Sequence, residues 1–164
     1  MGWRNIADTK KQIRTPNDVN GLKVRTIKED VQIELVKAMS GNPTPISWPE
    51  VYTSLATGVV DGTKNGITDI VGMKFHEHLK HITLDGHAYM GALWFLSEAR
   101  WQQCPRAHQR ILFDWFQHLK TTARAFPMRK QVPAYEDFKK DGGTIYVQNP
   151  SEKAAFKTAV APIY

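Results

Sequence analysis

Residues 44–66, TPISWPEVYTSLATGVVDGTKNG, decide the fold class of this chain. Pro43 and Pro45 hold the chain extended here, because proline disfavours helical geometry in the residue before it. Ser47 can cap a helix, with Pro49 near its first turn and Glu50 third after the cap. Val51, Leu55 and Tyr52 give that helix an apolar face, and Gly58 stops it. Val59-Val60-Asp61-Gly62 is too short for a half-buried helix and fits a buried parallel strand. Asp61 to Asn65 then reads as the strand's emerging polar end, although Asp61-Gly62 is also a plain turn signal.

Working outward, the same alternation continues. Thr15-Pro16-Asn17-Asp18 reads as a helix start, with a capping hydroxyl, proline at the first position and an acid at the positive end of the dipole. Leu22 to Ile27 alternates apolar and basic residues as a strand does. Asp30 to Ser40 places Val31, Leu35, Val36 and Met39 at helical spacing, closed by Gly41. Downstream, Ile67 to Met73 reads as a short helix, and Ile82 to Leu96 as two strand-like pieces with Asp85-Gly86 between them. Pro105 to Lys140 is a long helical region with Ile111, Leu112, Trp115, Phe116 and Leu119 as its apolar stripe and a kink or break expected at Pro127. Thr144 to Val147 reads as a strand, and Pro150-Ser151-Glu152 opens a last helix. Strand–helix alternation predicts an α/β fold with a mostly parallel sheet flanked by helices.

Composition permits a sizeable core, since 41% of the 164 residues are hydrophobic. No run approaches the ~20 apolar residues of a membrane span. The longest apolar stretch, AYMGALWFL at 88–96, reads as a buried strand. The single cysteine, Cys104, permits no internal disulfide and leaves the compartment open. The N-terminus MGWRNIADTKK has no apolar segment of the kind a signal peptide carries. A net charge of +6 fits a solvated basic surface, an anionic ligand or a nucleic-acid partner. The basic residues are scattered, and no aromatic-interleaved basic motif accompanies them.

Several side chains carry possible chemistry. Arg25 sits mid-strand, where a charge is costly unless it reaches a ligand, a partner or water; the alternative is the solvated face of an edge strand. A guanidinium stays charged and offers a planar fork that matches two carboxylate oxygens. Asn65 offers both donor and acceptor near the carboxyl end of a strand, where open α/β sheets bind ligands. Trp48 could lay its ring on a ligand's carbon skeleton, or act as a staple over the next helix. His76, His78 and His81 have a spacing that suggests a metal, but His76 points away from the other two and no acidic or cysteine ligand completes a set, so no metal site is expected. Cys104 lacks the partners of a catalytic thiol, and Trp101, Trp115 and Phe116 read as core. No phosphate loop, dinucleotide fingerprint or nucleophile elbow is present, so neither a cofactor nor an enzymatic activity is expected.

The order GWRNI, TPNDVNGLKVR, NPTPISWPEVYTSLATGVVDGTKN and KFHEHLKHITLDGH closely resembles the substrate-binding proteins of TRAP transporters (tripartite ATP-independent periplasmic transporters, the DctP-like family) from Gly2 to Tyr164. The resemblance implies a periplasmic-binding-protein-like fold of two α/β domains joined by a hinge, with an organic acid held in the cleft. It implies that Arg25 pairs with the ligand carboxylate, with Asn65 beside it and Arg4 as a second arginine. Trp48 takes the place of a pocket-lining aromatic residue, and His87 matches a polar position near the hinge. It also implies a periplasmic receptor that hands its ligand to membrane components of the transporter. The front part of a usual member, which would carry the signal peptide, has no counterpart here, and the usual C-terminal helices are cut short. The chain therefore reads as a fragment, with a homodimer as one way to complete it. On this reading residues 1–85 form most of the second ligand-binding domain, 86–126 return toward the first domain and hinge, and 127–164 come back to the second. Lys64-Asn65-Gly66 departs from the family's frequent Glu-Asn-Pro, which reverses a charge beside the amide.

Overall fold

The structure, a computed structural model, describes residues 2–163. Six strands form one sheet: β1 Gly2–Asp8, β2 Lys23–Thr26, β3 Asn42–Pro45, β4 Gly62–Asn65, β5 His81–Met90 and β6 Thr144–Val147, in the spatial order β3-β2-β4-β1-β5-β6. β2 runs parallel to β3 and β4, and β6 parallel to β5; β1 lies antiparallel between β4 and β5. Three of the five pairings are thus parallel.

The helices are α1 Asp30–Ala38, α2 Val51–Ala56, α3 Ile67–Gly72, α4 Glu98–Gln103, α5 Arg106–Lys140 and α6 Pro150–Val160. Helix α1 crosses over from β2 to β3, α2 leads from β3 to β4 on the other edge of β2, and α4 and α5 lie between β5 and β6. Local chemistry sets the helix ends. Asn149 Oδ1 accepts from the Glu152 amide at 2.9 Å while the Glu152 carboxylate accepts from the Asn149 amide at 2.9 Å, a reciprocal cap at the start of α6. Asp18 accepts from the Thr15 amide in the same way at the 3-10 turn Pro16–Val19.

Each face of the sheet has its own core. On one side α1 and α6 cover Ile6, Ile13, Leu22, Val24, Val36 and Phe156. On the other, α2, α3 and the C-terminal part of α5 enclose Ala7, Val51, Val60, Ile70, Phe75, Ile82 and Phe138. The result is a three-layer α/β/α sandwich.

Four local expectations change. The strand after α2 starts at Gly62, and Val59 is exposed while Val60 is fully buried. Polar Gly62–Asn65 is therefore a buried inner strand between β2 and β1, rather than an emerging tail. β5 runs unbroken through Asp85-Gly86: the register against β1 jumps from Thr83 to Ala88, a bulge that Gly86 permits with φ +58°. Beyond Met90 the apolar run leaves the sheet, and Leu93 to Leu96 are exposed rather than buried, because no layer covers them among the described residues. For the same reason the group Trp101, Trp115 and Phe116 is no core: Trp115 is exposed and the other two are half-buried.

α5 also differs from expectation. It runs 35 residues through Pro127 and Pro133 without a break. A proline removes one intrahelical hydrogen bond, and the turns around it can hold the helix when they are anchored. Ala134 and Phe138 supply that anchor below Pro133, packed into the sheet's second core.

Candidate carboxylate site

At one end of the sheet, where β2 and β4 finish and β1 begins, polar side chains gather without a protein counter-ion. Arg25 lies on β2 and is only 6% exposed. Its Nε donates to the Ile46 carbonyl at 2.9 Å, and its Cζ lies 5.4 Å from the centre of the Trp48 ring. Trp48 is held in turn edge-to-face on Phe75 at 5.3 Å and packs against the second core. A guanidinium has five N–H donors, and only Nε is engaged among the described residues, so the fork is left free to receive an acceptor.

Asn65 ends β4 and is 1% exposed. With its Nδ2 donating to Thr63 Oγ1 (2.6 Å) and the Lys64 carbonyl (3.2 Å), its Oδ1 accepts from Arg4 Nη1 at 2.8 Å, and both ends of the amide are satisfied. Arg4 Nη1 also donates to the Lys64 carbonyl at 3.0 Å. Burial, then the nearby Arg4, disfavours the charge on Arg25; burial likewise lowers the pKa of Arg4, partly offset by Asp69. Neither arginine forms an ion pair among the described residues. Two guanidiniums this close, both short of carboxylate, make a site suited to an anion.

Of the residues that the resemblance named, Arg25 contacts Trp48 and Arg4 contacts Asn65, two pairs at the same end of the sheet. His87 is not joined to them by any contact among the described residues. Its Nδ1 meets Asp85 Oδ2 at 2.6 Å, and it lines a concavity of about 400 Å³ with Lys153, Phe156, Lys157 and Val160. A larger groove of about 1200 Å³ runs between Trp3, Tyr89, Trp94 and the middle of α5. Neither concavity is lined by Arg25, Asn65 or Trp48, so the unpaired charge, rather than enclosed volume, marks the site.

Sequence reasoning marked Lys64 only as a reversed charge beside the Asn65 amide and missed its burial. Lys64 is 5% exposed in β4, with its Nζ donating to Gln32 Oε1 at 2.6 Å. Burial, then Arg4 and Arg25, pushes its pKa down to about 8 against the pull of Asp85. An available signal was the Val-Val-Asp-Gly run, had the strand been placed three residues later.

The histidine trio disperses: His76 meets Asp141 at 3.0 Å, His78 stacks edge-on against Tyr52, and His81 meets Thr144. Among the described residues no group of three or more His, Cys, Asp or Glu gathers as a metal site would require.

The family model for bacterial extracellular solute-binding proteins, family 7 (DctP), matches residues 1–164. The chain belongs to this family. A solute-binding protein of Verminephrobacter eiseniae is 33% identical over 99% of the chain and 48% of its own length. Two solved TRAP periplasmic solute-binding proteins share the fold. One, from Polaromonas sp. JS666 and bound to D-erythronate, is 32% identical with a TM-score of 0.90, covering 99% of this chain and 53% of that one. The other, from Sulfitobacter sp. NAS-14.1 with bound β-D-galacturonate, is 27% identical with a TM-score of 0.93 over the same shares. The chain thus spans about half the length of the family members it matches.

Proposed function

We propose that this chain binds a small organic acid as part of the extracytoplasmic, periplasmic solute receptor of a TRAP-type transporter. Arg25 pairs with the ligand carboxylate, Arg4 and Asn65 complete its oxygen contacts, and Trp48 packs on the carbon skeleton. Binding is non-covalent and no bond is made or broken. Each charged hydrogen bond of this kind contributes roughly 1.5–3 kcal/mol. Residues 1–85 and 127–164 form the ligand lobe, and 86–126 reach toward a second lobe. Closure of that lobe expels water and strengthens the ion pair. The loaded receptor then docks on the membrane components.

The carrying observation is buried Arg25 with half-buried Arg4 near it, neither with an ion-pair partner among the described residues. The two relatives bound to D-erythronate and β-D-galacturonate make sugar acids the first class to try. The nucleic-acid alternative has no support from the fold or from these relatives.

The test is thermal melting against D-galacturonate, D-glucuronate and D-erythronate. A bound ligand raises Tm with its concentration. The rise should vanish in Arg25→Ala and shrink in Arg25→Lys, which keeps the charge but loses the fork. An equal rise in wild type and Arg25→Ala would remove Arg25 from the site.

A further inference from the structure

Lys64 occupies an uncommon position for an ammonium. It stands in an inner strand, 5% exposed, and makes no ion pair among the described residues. Its own carbonyl accepts from Arg4 Nη1 at 3.0 Å, and its ammonium feels the charges of Arg4 on β1, Arg25 on β2 and Asp85 on β5, although the register sets Arg25 on the other face of the sheet. From α1 it meets only neutral Gln32, whose Oε1 accepts at 2.6 Å and whose carbonyl lies 3.4 Å away. Asp85 is already engaged on both oxygens, by the Ile6 amide at 3.0 Å and by His87 at 2.6 Å. Asp69 acts on Arg4.

A buried ammonium beside two guanidiniums is costly, and lysine can relieve the cost by giving up its proton, which arginine cannot do. Negative charge placed next to Arg4 and Arg25 relieves it in the opposite way, by making the ammonium favourable again. A ligand carboxylate is such a charge. Resting on the carboxylate site proposed above, we propose that Lys64 is a positioning residue of that site, taking up a proton as the acid binds, so that affinity is coupled to pH.

The direction follows by linkage. The ligand-free protein holds the ammonium at a pKa of about 8, and a bound carboxylate raises it. Well below pH 8 Lys64 is charged in both states and affinity is flat. Above pH 8 the free protein has lost a proton that binding must restore, so affinity falls by up to about tenfold per pH unit. The fall ends where the bound-state ammonium itself titrates.

Isothermal titration of the full chain with D-galacturonate, from pH 6.5 to 9.5 in buffers of low and high ionisation heat, tests this. Wild type should show no proton uptake at pH 6.5 and nearly one proton per ligand at pH 9, with the matching loss of affinity. Lys64→Met should bind more weakly at pH 6.5 and show neither uptake nor slope. Lys64→Arg keeps a charge that does not titrate, so it should stay tight and flat, and it carries the test if the methionine variant fails to fold. A flat wild-type profile, or a slope that survives in either variant, overturns the proposal. If binding is lost in Arg25→Ala while the wild-type profile is flat, the carboxylate site stands and this inference alone falls. If wild type binds none of D-galacturonate, D-glucuronate and D-erythronate at pH 6.5, the carboxylate site falls and this inference with it.

Discussion

β4 and the segment 91–97 invert the usual assignment of polar and apolar residues. Gly-Thr-Lys-Asn is wholly buried, while Gly91-Ala-Leu-Trp-Phe-Leu-Ser is exposed throughout. Hydropathy did not place either one. β4 has strands on both edges and helices on both faces, so its backbone is paired and its polar side chains find partners in Thr63, Gln32 and Arg4. The segment 91–97 has no neighbouring strand and no covering layer among the described residues. Burial here is a property of position in the sheet, and side-chain chemistry then adapts to it.

The sharpest way to break this comparison is inside α5, which belongs to both regions. Phe138, near its end, is fully buried in the second core. Phe138→Ala should cost about 3–5 kcal/mol, read from urea unfolding. A cost near that of a surface change would mean that α5 is not docked on the sheet where its last turns lie.

Gly62→Ala probes β4 itself. An added methyl would sit 2.5 Å from the Ala7 carbonyl oxygen, a backbone atom of the paired strand that cannot step aside. Overpacking of this kind costs about 1–3 kcal/mol. A neutral result by the same unfolding measurement would show that β1 and β4 are not paired at Asp8↔Gly62.

Lys64→Met has the opposite sign. Its folded-state pKa lies below its unfolded value, so between about pH 8 and the ordinary lysine range the unfolded chain binds more protons and stability rises with pH. The penalty carried below pH 8 is on the order of 3 kcal/mol, because each pKa unit corresponds to about 1.4 kcal/mol. Ligand-free Lys64→Met should therefore melt higher than wild type at pH 7, and the two should converge toward pH 10. A variant that melts lower at pH 7 would place the Lys64 ammonium in water or in an ion pair.

Much of this was legible in the sequence, and the exceptions share a cause. The turn start at Thr15 and the start of α6 at Pro150 depend on neighbours in the chain and were placed within a residue, while the strand expected at Val59–Gly62 lies three residues further on. For Arg25, Asn65 and Trp48 residue pattern alone left an ordinary edge strand, turn and staple open, and the resemblance supplied their proposed roles. The burial of Lys64 was hidden because Val59-Val60 looks like a strand, and the real strand begins after it. The exposed aromatics of 94–116 were misread because apolar residues usually mark a core, and nothing local tells a core from a surface awaiting a cover. The continuity of α5 through two prolines depends on Ala134 and Phe138 finding the sheet, which is tertiary information.

The smallest expected effect is on the other side of the comparison. Phe95 is 85% exposed, in a segment without regular structure. Phe95→Ser should change monomer stability by no more than about 0.5 kcal/mol, since a surface change away from packing rarely does more. The informative version varies protein concentration. If two copies cover each other's apolar segments, Tm rises with concentration in wild type and the rise shrinks in Phe95→Ser, because association stabilises by mass action. If Tm is independent of concentration and Phe95→Ser still costs more than about 1.5 kcal/mol, Phe95 is packed within a single chain, and the contrast with β4 no longer holds at that residue.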